Sequence, residues 1–187
     1  MTRFPEELVT EIREEFPRFR IIHKAESPLS RWIDRVLRWV TLGGMRSYLT
    51  HYHTVIGYTL YVPDSWETTA PLEKVITLRH ERVHLRQRKR YGLPLMAFLY
   101  LVPLFPIGLA YGRARLEWEA YEETLRATAE LCGMDAARAL EPEIVRRFTS
   151  SDYGWMWPFP QRVETWYAAA LTRLAHENEH SKTSAST

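Results

Sequence analysis

Apolar residues recur at helical spacing near the start of the chain. Leu8, Ile12 and Phe16 stand four apart in a stretch otherwise rich in glutamate, which predicts a short amphipathic helix over 5–16, stopped by Pro17. Phe19 to His23 is short and branched and reads as a strand. Ser27 and Pro28 then provide a cap and a first-turn proline for a second helix. Its apolar face is Trp32, Ile33, Val36, Leu37 and Val40, and Gly43-Gly44 closes it. From Thr54 to Val62 the composition changes to Thr, Val, Ile and Tyr, a strand signal bounded by Pro63-Asp64. This strand is either the interior of a sheet or an edge that can take an extended peptide by main-chain hydrogen bonds.

The helical period returns over 70–91. Thr68 or Thr69 is the expected cap, Pro71 lies in the first turn, and Leu72, Val75, Ile76 and Val83 are the expected buried side. Arg86, Arg88, Lys89 and Arg90 fill the last turns, where cations suit the negative end of the helix dipole, and Gly92 with Pro94 ends the helix. Residues 91–112 then carry no charge, a length that would span a bilayer. Pro103, Pro106 and Gly108 break the run near its middle, so it reads as an out-and-back hairpin. Its tip is either buried in the protein or dipped into a membrane surface, facing anionic head groups with basic flanks.

A helix follows over 112–131, then a helix over 135–148 broken near Pro142, an aromatic packed loop over 150–160 and a closing helix over 163–176. The expected architecture is α+β and mostly helical, with a small sheet before the 70–91 helix. It is a single domain over 1–176 with a flexible polar tail over 177–187.

Composition narrows the function. A chain of 187 residues, 45% hydrophobic, can bury a core of its own. Its 25 basic and 23 acidic residues are too balanced to favour nucleic acid as a partner. The single cysteine, Cys132, excludes an internal disulfide and a thiolate zinc cluster, so a metal site must use histidine and carboxylate. The charged amino terminus has no signal-peptide core, and a cytoplasmic location is expected.

The chemistry concentrates in His80-Glu81-Arg82-Val83-His84. Four residues of helix turn through about 400°, so His80 and His84 share one face and can close on one metal ion. Glu81 borders that face, where its carboxylate can take a proton from a metal-bound water without being a ligand. This is the His-Glu-x-x-His motif of the zincin metallopeptidases. A third ligand is required, and neither a histidine at position 90 nor a glycine at position 87 is present to extend the motif. The candidates lie downstream in Arg115-Leu116-Glu117-Trp118-Glu119-Ala120-Tyr121.

From His80 to Tyr121 the chain resembles the gluzincin branch of the zincins, which includes thermolysin-like enzymes and membrane-associated peptidases of prenylated proteins. The resemblance implies that Glu117, with Ala120 three residues on, is the third ligand, and Glu119 is the fallback. Where the family usually has an aspartate that orients a ligating histidine, this chain has Tyr121, whose phenolic oxygen can accept the same bond with less basicity. The function implied is zinc-dependent hydrolysis of peptide bonds in a peptide or protein substrate. His80, His84 and Glu117 hold Zn2+, Glu81 is the general base, and Tyr153 donates to the developing oxyanion as a tyrosine or histidine does in related enzymes. Two alternatives are a zincin-fold binding or assembly protein without turnover, and a membrane-surface protein using its apolar hairpin.

Overall fold

The computed structural model describes residues 4–24, 53–101, 110–150 and 156–185. The predicted helix over 27–44, the hairpin tip over 102–109 and Tyr153 lie outside the described residues. The fold is mostly helical α+β with a small three-stranded sheet. The chain divides into two compact units, residues 1–96 and 97–187.

The first unit opens with helix α1 (Pro5–Glu15), which buries Leu8 and Ile12 as their spacing requires, with Phe16 buried just beyond it. Strand β1 (Arg20–His23) follows. The run read as one strand is a hairpin: β2 (Thr54–Ile56) and β3 (Thr59–Val62) pair antiparallel across the two-residue turn Gly57-Tyr58, with Ile56 opposite Thr59. The period-2 pattern is the same on both sides of such a turn, so the apolar run alone does not show the break. β1 pairs parallel with β3, Ile21 opposite Leu60 and His23 opposite Val62, which gives the order β1-β3-β2. β3 is therefore the interior strand, buried at Leu60, Tyr61 and Val62, and β2 is an edge among the described residues.

A single 3-10 turn over Asp64–Trp66 leads from β3 to helix α2 (Pro71–Leu101). The hydroxyls of Thr68 and Thr69 both donate to the Ser65 carbonyl, at 3.0 and 2.9 Å, and tie this turn. The helix ladder begins instead with the Lys74 N–H donating to the Ala70 carbonyl. The buried side of α2 also differs from expectation. Val75, Leu78 and Leu85 are fully buried while Leu72, in the exposed first turn, is 40% exposed. Two ties hold α2 within this unit: Arg82 and Arg86 grip Glu15 at the end of α1, and the Arg88 guanidinium sits 4.5 Å from the centre of the Tyr58 ring.

Gly92 ends the first straight part of α2. Its backbone (φ 74°, ψ 164°) lies in a region essentially restricted to glycine, and the chain resumes as helix beyond it with Pro94 in the new first turn. The apolar stretch thus begins as a second helical segment set off by a kink. Among the described residues no helix is long and apolar enough to cross a membrane.

In the second unit Gly112 lies against Leu99. A methyl group placed on Gly112 would stand 2.8 Å from Leu99 Cδ2 and 3.2 Å from the Leu99 carbonyl oxygen, so a side chain here would require Leu99 to shift. Helix α3 (Tyr111–Cys132) then runs the full predicted length. The expected helix near Pro142 is two, α4 (Met134–Ala139) and α5 (Glu141–Thr149), divided at Leu140 with the proline in the first turn of α5. Helix α6 (Pro160–Ala185) passes the expected end at His176, and the stretch read as a flexible tail is helical to Ala185. Glu177, at the start of that extension, accepts a hydrogen bond from Arg126 at 3.1 Å. The core of this unit gathers Trp118, Tyr121 and Leu125 of α3, Ile144 and Phe148 of α5, Met156, and Val163, Tyr167 and Leu174 of α6.

Candidate metal centre

The buried stripe of α2 changes character halfway along. It starts with Val75 and Leu78, and as the buried positions wind round the helix at three-residue steps they become Glu81, His84 and Gln87, at 6%, 7% and 2% exposure. Polar side chains are withdrawn from water at a cost unless partners meet them, so three in succession on a buried stripe mark a built polar site. His80 lies beside them, half-buried. The His80 and His84 ring centres are 5.0 Å apart with their planes at 75°, the one-turn juxtaposition that the spacing predicts.

His84 is held by a neighbour. Its Nδ1 is 2.9 Å from Gln87 Oε1, one turn along the same helix. When the amide oxygen accepts that bond, the proton sits on Nδ1 and the lone pair on Nε2, the tautomer that presents Nε2 to a metal ion. In the sequence Gln87, an uncharged polar side chain among four cations, carries no sign of burial. Its position three residues after His84 was the available signal.

On α3, Glu117 is half-buried between the buried Leu116 and Trp118. One ligand atom each from His80, His84 and Glu117 all lie within 4.8 Å of one another, and the group could hold a metal ion. Two imidazole nitrogens and a carboxylate oxygen suit zinc, whose tetrahedral ligand atoms stand about 3.3 Å apart. Among the described residues no other set of histidine, cysteine and carboxylate side chains meets this condition. The fallback Glu119 is absent from the group. It lines a cleft of the second unit with Arg115, Trp118, Glu122, Trp166 and Arg173.

Tyr121, read as the stand-in for an orienting aspartate, packs into the core of the second unit. It is 6% exposed, its ring meets Phe148 at 5.5 Å, and its hydroxyl accepts a hydrogen bond from Arg147 Nη1 at 3.1 Å. The partner seen on the Nδ1 nitrogen of His84 is Gln87. Compared with protein-family models, with curated proteins and with solved structures, the chain matches none.

Proposed function

We propose that residues 1–176 form a zincin-type metallopeptidase domain that hydrolyses peptide bonds, with His80, His84 and Glu117 as its zinc ligands. The observation that carries the proposal is the convergence of these three ligand atoms next to a buried glutamate that is not one of them. Zinc bound there supplies a Lewis acid for the scissile carbonyl and lowers the pKa of a bound water to about 7.

The chain's own residues supply the rest. In this reading Glu81, which follows His80 directly and is nearly excluded from solvent, takes one proton from the attacking water. The same carboxylate returns that proton to the leaving amine as the C–N bond breaks, and the acyl carbon keeps the water's oxygen. No covalent intermediate with the protein is needed. Gln87 keeps His84 in the tautomer that ligation needs. Tyr153 is proposed as the donor to the developing oxyanion.

The test is cleavage of a mixed peptide library by zinc-loaded wild type and by Glu81→Gln. The variant keeps the ligands and removes the base, so cleavage should fall by about 10²-fold or more while zinc content is unchanged. Equal cleavage by both proteins would remove Glu81 from the mechanism. A zinc-loaded wild type that cleaves nothing would favour the binding or assembly reading.

A further inference from the structure

The exposed residues of α2 follow a sequence of chemistry that the metal site does not use. On the last turns before Gly92 the exposed side chains are Arg86, Lys89 and Arg90, all cationic. Immediately after the kink Leu93, Pro94 and Leu95 are exposed, and Phe98 follows one turn on; Leu93, Leu95 and Phe98 are 48%, 45% and 54% exposed. At 100° per residue the four span roughly half of the helix circumference. Met96 and Leu99, on the other side, are more covered. A run of large apolar groups in water is costly and marks a surface that another phase or molecule covers.

Charge identifies what covers it. From Arg82 to Leu116 the chain carries seven lysines and arginines and no acidic residue. Arg82 and Arg86 are committed to Glu15, and Lys89 and Arg90 beside exposed leucine and phenylalanine match the interface of an anionic bilayer, where cations meet head groups and apolar side chains enter the acyl boundary. The nine described helical residues from Leu93 to Leu101 rise only about 14 Å, short of a hydrocarbon core of about 30 Å, which suits them to the bilayer surface.

We infer that the exposed apolar turn beginning at Leu93, with Lys89 and Arg90 before it, docks the protein on the surface of an anionic phospholipid bilayer. This does not depend on the metal chemistry.

The test is flotation of the full-length protein with phosphatidylcholine vesicles with and without about 30% phosphatidylserine, at low and high salt. Two variants are compared with wild type: Leu93→Ser/Leu95→Ser/Phe98→Ser, and Lys89→Gln/Arg90→Gln, each checked by circular dichroism. Wild type is expected to float with anionic vesicles and less with neutral ones, and less again at high salt. Each variant is expected to bind about tenfold more weakly or worse. Absence of wild-type flotation, or undiminished flotation of either folded variant, overturns the inference. If the serine variant fails to fold, the glutamine variant decides alone. Sedimentation without vesicles covers the competing occupant: a dimer that the serine substitutions dissociate, with no vesicle binding, makes the face a self-association surface and also overturns it.

Discussion

His84 has differently placed ring nitrogens, and the account of the site turns on that difference. A histidine that ligates through Nε2 needs its proton on Nδ1, and Gln87 Oε1 stands 2.9 Å from that atom. Gln87→Ala is therefore expected to lower zinc affinity by about 10- to 100-fold, measured by competition with a chelator, with little change in fold. Gln87→Glu, which keeps the acceptor, should restore most of the loss. Affinity within about twofold of wild type in Gln87→Ala would show that His84 is oriented by something else. The pair His80 and His84 was legible because a four-residue repeat fixes their relation before any tertiary contact forms. Glu117 was legible only through its spacing to Ala120, which ranked it above Glu119, and it is Glu117 whose carboxylate lies with His80 and His84.

Among the elements, α1 illustrates a contact that periodicity does not reveal. Leu8, Ile12 and Phe16 announced its buried face, but the tie from Glu15 to Arg82 and Arg86 joins residues about 70 positions apart whose charges read as solvated. Hydrogen bonding from Arg86, together with Arg82 and the charge of both, holds the Glu15 carboxyl below its ordinary value of 4.5 despite the opposing effect of burial. A carboxylate with a depressed folded pKa contributes stability above its unfolded value and loses it as pH falls through the folded one. Urea midpoints should therefore decline as pH drops below 4.5, and Glu15→Gln should show a shallower decline. At neutral pH the substitution should cost about 1 kcal/mol, as expected for a partly exposed pair. Identical acid profiles for the two proteins would assign the loss to other groups.

Taken whole, the mostly helical α+β class and the sheet preceding helix α2 followed from periodicity, because 3.6- and 2-residue repeats are local properties. Local pattern was insufficient where backbone conformation or distant packing decides. The Gly57 turn splits one apolar run into two strands, the Gly92 kink lets a helix resume after apparent stop signals, and α6 continues beyond its last apolar repeat. Polar residues at buried positions, Glu81, His84 and Gln87, are where local pattern and global structure conflict, as expected at a functional site. The central claim is that this conflict is resolved by a metal ion. The most direct test is elemental analysis of purified wild type beside His84→Ala and Glu117→Ala. The account predicts about one zinc per chain in wild type, lost or sharply reduced in both variants. A wild-type protein that holds no metal even after equilibration with zinc, or variants that keep it, would contradict the account.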